Sequence, residues 1–570
     1  MIMTATSDIS PETFFPPVIY RLRYPLFALL VIFALLPFSN KPFFIDDYYH
    51  YLMARGIINN PLRPYDFLSD DDGHDNPAWE YGALPRMVNP PLTHYCLALV
   101  IRIFGKTERA AHIGFMFFAV ASALLFLFIS EKFLSPPYPL IAALLFAFNP
   151  VFWITSNGLM LDSVKLTFYL ASLASLISAT EKNNSWLLPA LAGFFMGLAI
   201  LAKYTAFSVI PVSFIYLVMF DDKWKKKLFV FAVPFLMLFL WSWWNIRAYG
   251  SPHLTSALKR TVSTSMDLKI LVAMVFFSGG LIFVSGIVPA FISSFKNYKT
   301  ILALSAVIFL GGVWLFSSPV GGFSFTHSIL LSLWVVASTD FLVAVGSLWR
   351  NFDKKDRFLA AWFILVFITM LPAMSWTAGR YFMVLIPPAA LLFVRMVCLV
   401  LPSQNQQKSL LASTTVITFI MGLLLAVTDY TQAGVYKKIR SDLNSDGVRP
   451  AYFKSDIFSG ITGYLKSDGW RIVVPGEDVL KPGDLFLIGY ISTPVAWIKE
   501  PEIQGRLELI KVYEYKTKLP FRVLSVPDSA GFYATCWGAL PWSVSRLPLE
   551  RYKLYLVVKD SDNKKYDKKN

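Results

Sequence analysis

Residues 21–50 read RLRYPLFALLVIFALLPFSNKPFFIDDYYH. Two arginines precede an apolar run, and a pair of aspartates, Asp46-Asp47, follows it. Basic residues ahead of a first apolar stretch hold the N-terminus in the cytoplasm. The pattern therefore predicts a retained signal-anchor that delivers both acids to the opposite face. Carboxylates at a membrane surface are costly to desolvate, so the pair marks a candidate site. A second acid, Asp162 in Met160-Leu161-Asp162-Ser163, follows a later apolar stretch. Span counting brings it out on the same face.

Composition sets the class. The 570 residues are 55% hydrophobic and only 16% charged, with a mean hydropathy of +0.53. That balance excludes an ordinary soluble domain and indicates a polytopic membrane protein. The net charge of +15 sits largely in short loops such as Asp221–Lys227, where cytoplasmic retention explains it and nucleic acid need not be invoked. Cys96, Cys398 and Cys536 are scattered and form neither a disulfide framework nor a zinc spacing.

A crossing helix needs about 17–25 apolar residues. Stretches near 22–40, 109–130, 138–158, 163–180, 186–202, 205–220, 228–246, 269–292, 299–317, 328–349, 357–375, 380–401 and 409–429 qualify, giving thirteen expected spans. Residues 92–104 are too short to cross comfortably and read as an interfacial helix. The connections 221–227, 293–299 and 350–357, with Lys132 and Lys182, place their basic residues on the N-terminal side, as the positive-inside rule requires. The expected fold is an all-α polytopic membrane protein over 1–430, with interfacial helices in a first outer loop, 41–108. Residues 431–570 carry charge throughout, Pro482-Gly483-Asp484 and alternating runs at 470–474 and 484–489. They read as a small soluble α/β or mainly β domain on the outer face, ending in a disordered tail.

Asp46, Tyr49 and His50 share a face if their segment is helical, where a carboxylate can serve as general base for an acceptor hydroxyl or amine. The plainer reading is that Asp46-Asp47 cap an interfacial helix. The run 69–75 is acid-rich but lacks the spacing and closing Glu of a calcium loop. Lys165, three residues beyond Asp162, offers a local ion pair. Lys203-Tyr204, Arg247 and Arg380-Tyr381 stand at outer span ends, where single cations are usually snorkelling anchors. Together they could bind a phosphate and stabilise charge on a leaving phosphate.

In chain order, Asp46-Asp47-Tyr48-Tyr49, Asn89-Pro90-Pro91-Leu92-Thr93-His94-Tyr95, Phe104–Ala111, Met160-Leu161-Asp162, Ala202-Lys203-Tyr204-Thr205 and Gly379-Arg380-Tyr381 before Pro387-Pro388 resemble the membrane glycosyltransferases of the C-type fold. The nearest groups are bacterial relatives of the dolichyl-phosphate-mannose protein mannosyltransferases and the lipid A aminoarabinose transferases. The resemblance covers roughly residues 20–400. It implies inverting transfer from a polyprenyl-phosphate-linked sugar to a glycolipid, lipid A or protein acceptor on the outer face of the cytoplasmic membrane. Asp46 would be the first-loop catalytic acid and Asp162 a second functional acid. Lys203 and Arg380 would hold the donor phosphate, with Tyr381, Arg247, Arg86, Asp47 and Tyr49 around it. Relatives differ in divalent-metal use, so metal is left unassigned. Many relatives have Lys or His where this chain has Asn89, and Arg86 is the nearby cation able to replace it. The rival class is a polytopic transporter or lipid flippase. That class usually places its ionisable residues at mid-membrane within internal repeats, whereas these lie at span ends.

Overall fold

The computed structural model describes residues 21–66, 89–182, 186–259, 266–287, 298–319, 321–373, 377–454, 459–473, 480–493 and 506–558. The acid-rich run 69–75, Arg86 and the expected tail beyond 558 lie outside the described residues. Among those described, six helices are long and apolar enough to cross a membrane: Glu108–Phe133, Leu161–Glu181, Trp224–Tyr249, Phe325–Asn351, Gly379–Val400 and Gln404–Ser445. The bent pair Tyr138–Ala147 and Pro150–Ser156 adds a seventh if it is one span. The chain is a multi-pass membrane protein.

The other expected spans fall on shorter apolar helices, such as Arg23–Phe38 and Tyr204–Phe220, or on Lys354–Ala373. Among the described residues, helix length and apolarity alone thus account for six or seven of the thirteen expected crossings. Two expected spans are broken for local reasons. Pro150 cannot donate to a preceding turn, and Asn149 caps a new helix by accepting from the Val151 N–H at 2.9 Å, so the chain bends by 54°. The span near 269–292 ends its helix at Gly280 and continues as a short 3-10 turn, Ile282–Gly286.

One end of the bundle is tied by charge. Lys132 pairs with Glu181, and Lys355 donates to the Lys132 carbonyl at 2.7 Å. Arg23 pairs with Glu131, and Lys227 donates to the Ala179 carbonyl at 2.8 Å. These are loops and span ends that the charge pattern assigned to a single side. The helices then run away from that end toward Glu108, Leu161 and Gly379.

At the opposite end, helix Asp47–Asn59 packs on the expected interfacial helix Leu92–Phe104 through Met53, Ala54, Ile57, Leu97, Ala98 and Ile101. The 42-residue helix Gln404–Ser445 passes position 430 without interruption. At 1.5 Å per residue it extends about 63 Å, twice a hydrocarbon core, and so carries the C-terminal part well past the apolar layer. That part holds a mixed sheet of β1 (Tyr452–Lys454), β2 (Arg471–Ile472), β3 (Leu485–Gly489), β4 (Leu507–Tyr515) and β5 (Glu550–Val557). The strand order is β2-β1-β3-β5-β4, parallel at β2-β1-β3 and antiparallel around β5. Its Phe453, Leu524, Tyr533 and Leu554 share one continuous core with Phe44, Phe126, Tyr169 and Phe382. The sheet is joined to the helices, not hung from them.

Candidate active site

The first outer loop turns at Ile45, whose φ of 49° places a β-branched residue in the left-handed region, a strained conformation that needs outside support. Asp47 supplies it. Its buried carboxylate accepts from the Phe44 N–H at 3.1 Å and the Leu159 N–H at 2.7 Å. Burial raises Asp47 to about 6, against the opposing pull of Lys41 and these two donors. Asp47 is thus the staple of the turn, and Asp46, at the N-cap of helix Asp47–Asn59, is left with its side chain 35% exposed.

The staple has a pH signature. From the ordinary aspartate value of 3.8 up to about 6, the folded chain holds a proton that the unfolded chain releases. The resulting stability is complete in acid and is lost as pH rises through 6. The melting temperature of the wild type should therefore fall from pH 4 to 7 relative to Asp47→Asn in the same detergent. Parallel curves for the two proteins would refute the assignment.

Asp162 opens helix Leu161–Glu181 with its side chain only 1% exposed. Lys203 Nζ donates to both its oxygens, at 3.1 and 2.8 Å, and Lys165 Nζ donates to Oδ1 at 2.6 Å. The local Asp162–Lys165 pair is therefore real, and Lys203 joins it. Arg380 spans the two acids: Nη1 lies 2.7 Å from Asp46 Oδ2 and Nε 4.0 Å from Asp162 Oδ2. The Tyr381 ring lies beneath the Lys203 ammonium, 4.3 Å from its centroid, a favourable cation–π placement. Two carboxylates face three cations, so the cluster carries one positive charge in excess and is most open to the outside at Asp46.

Beside it, His50 Nδ1 and His94 Nε2 approach to 3.0 Å, with the Tyr49 ring edge-on to both imidazoles. Burial, aided by Arg380 and Lys203, lowers His50 to about 3. Burial likewise takes His94 well below its ordinary value. Both stay neutral at physiological pH. The sequence had put Tyr49 and His50 on the Asp46 face, but nothing local in it announced the pairing with His94.

Arg247 is not brought into this cluster. It is exposed, with its guanidinium 5.9 Å from the Trp243 ring centroid, as a snorkelling anchor would be. Among the described residues no group of three His, Cys, Asp or Glu side chains could hold a metal ion. Asp46 and Asp162 have Arg380 between them instead, so these residues do not fit a divalent cation. Cys96, Cys398 and Cys536 form no disulfide.

A cleft of about 530 Å³ lies against the exposed side of Asp46, lined also by Ile45, Lys454, Ser492, Thr493, Trp537 and Tyr552. Its outer wall belongs to the C-terminal part. A larger apolar groove of about 1740 Å³, lined by Ile282, Leu302, Phe309, Leu333, Asp340 and Leu410 among others, includes none of the charged cluster.

Residues 88–244 match the family model of the dolichyl-phosphate-mannose-protein mannosyltransferases. This is the family whose relatives the sequence motifs resemble. The match takes in Asp162 and Lys203 and leaves Asp46 and Arg380 on either side. Among curated proteins, no relative matches the chain. Among solved structures, the chain is similar to the Archaeoglobus fulgidus oligosaccharyltransferase tethered with an acceptor peptide containing the NVT sequon. Identity is 14% over 80% of this chain and 64% of that one, with a TM-score of 0.44. It is also similar to ArnT from Cupriavidus metallidurans bound to undecaprenyl phosphate, at 13% identity over 87% and 96% of the two chains, with a TM-score of 0.41. The chain thus spans just under two thirds of the archaeal protein's length.

Proposed function

We propose that this protein is a membrane glycosyltransferase. It moves a sugar from a polyprenyl-phosphate-linked donor to a glycolipid, lipid A or protein acceptor, with inversion, on the outer face of the cytoplasmic membrane. The observation that carries this reading is the bridge Asp46–Arg380–Asp162, closed by Lys203 and opening outward at Asp46. An excess positive charge at a bundle end suits a lipid phosphate. Arg380 has five N–H donors in a planar fork, more than its carboxylates require. Asp46 is the one acid of the cluster that meets the cleft, so an acceptor hydroxyl or amine entering there can give its proton to it as the bond to the sugar forms. The departing phosphate's charge is met by Arg380 and Lys203. Asp162 serves by holding both cations in place. The family match, named for dolichyl-phosphate-mannose, supports a lipid-phosphate donor. Thirteen crossings would put this end and the C-terminus on the outer face. The transporter alternative has no support from the cluster's position at a bundle end.

Binding of undecaprenyl phosphate to the protein in nanodiscs tests the phosphate site. Arg380→Met should weaken binding by about 30-fold or more, the equivalent of the ~2 kcal/mol lower bound for losing one partner of a desolvated charge pair. Equal binding by wild type and variant would refute the role of Arg380. An absence of binding by the wild type would refute the donor class.

A further inference from the structure

We propose that the C-terminal part of the chain is a positioning element of the charged site. A strap at 532–535 fixes the backbone beside Arg380, and Tyr533 anchors the loop that presents Asp46.

The strap lies along residues 377–379 like a short strand pair. The Gly379 N–H donates to the Phe532 carbonyl at 2.7 Å, and the Thr535 N–H donates to the Thr377 carbonyl at 2.9 Å. Arg380 is the next residue. Gly379 is needed here for closeness, because a Cβ at this position would lie 2.8 and 2.9 Å from two atoms of the Phe532 ring. The strap therefore defines where residue 379 can sit, and with it the root of the Arg380 side chain.

Between these two backbone bonds, Tyr533 enters the core. Its hydroxyl donates to Asp429 Oδ1 at 2.6 Å, and Lys41 Nζ lies 2.6 Å from Asp429 Oδ2. All three side chains are buried. A buried ion pair is tolerated only when further hydrogen bonds complete it, and the phenol supplies one. Lys41 begins the segment that reaches Asp46, and the Phe44 ring packs edge-on against Tyr533 at 5.5 Å. The same segment is gripped farther along. The Phe43 N–H donates to the Tyr464 hydroxyl at 2.9 Å, and Gly460 lies so close to the Phe43 carbonyl that a Cβ would come within 1.7 Å. The Ile45 turn thus has support on two sides: Asp47 from within the bundle, and Tyr533 and Tyr464 from the C-terminal part.

What Arg380 binds rests on the donor-phosphate reading above; the clamp itself does not. The test uses the full chain in nanodiscs and has two arms. In the first, Gly379→Ala drives a methyl into the Phe532 ring, and affinity for undecaprenyl phosphate should fall on the order of tenfold to 10²-fold. Adding Phe532→Leu to the same chain should restore most of it. Unchanged affinity in Gly379→Ala, or a loss that Phe532→Leu does not relieve, overturns the positioning role even if thermal stability has changed. In the second arm, Tyr533→Phe should speed hydrogen exchange in peptides covering 41–50 and 377–382 together. Wild-type exchange in both peptides overturns the clamp. The exchange arm needs no ligand, so it decides the clamp even if the wild type fails to bind phosphate, a result that would instead sink the proposed function.

Discussion

Asp46→Asn should abolish sugar transfer, by on the order of 10²–10⁴-fold, in a protein that still inserts and folds. The side chain is part-exposed and faces the cleft, and its ionic contact is Arg380. Asn keeps the shape and one acceptor oxygen but cannot take a proton from the incoming nucleophile. Arg380 retains Asp162 nearby at 4.0 Å, so the cluster should hold together. The expected signature is a collapsed kcat with the affinity for undecaprenyl phosphate kept within a few fold. Turnover within a few fold of wild type would remove Asp46 as the base.

Asp162→Asn should act differently, through stability as much as activity. Its carboxylate is buried against Lys165 and Lys203, with Arg380 close by. Neutralising it leaves three cations facing one another without the acid that separates them. Removing one partner of a buried ion pair costs about 3–5 kcal/mol, so the variant should melt well below wild type and lose phosphate binding as Lys203 and Arg380 shift. Asp162→Glu restores charge but lengthens the side chain, and should recover stability ahead of activity. An Asp162→Asn protein with wild-type melting and binding would mean that the acid does not hold the cations.

The site was legible where its residues break a local rule. Asp46, Asp162, Lys203 and Arg380 are charges at the ends of apolar runs, a placement that is costly without a use, and the folded chain brings all four together. Arg247 met the same criterion and stands apart, because a snorkelling anchor and a ligand look alike until packing decides between them. Asp429 and Lys41 carry no such mark. Each is an ordinary flanking charge in sequence, and their meaning lies in a pairing across almost 400 positions that no local period encodes. Tyr533 carried no motif at all. The span positions followed from hydropathy, while helix length and apolarity among the described residues account for six or seven of the thirteen expected crossings. Asn149-Pro150 and Gly279-Gly280 interrupt two apolar stretches that averaging reads as continuous.

Comparative mass spectrometry of envelope glycolipids and glycoproteins, from cells with the wild-type protein, with Asp46→Asn and with none, tests the central claim most directly. One sugar-bearing product should be present with the wild type and missing from both other samples, naming donor sugar and acceptor together. Identical glycan profiles in all three would contradict it.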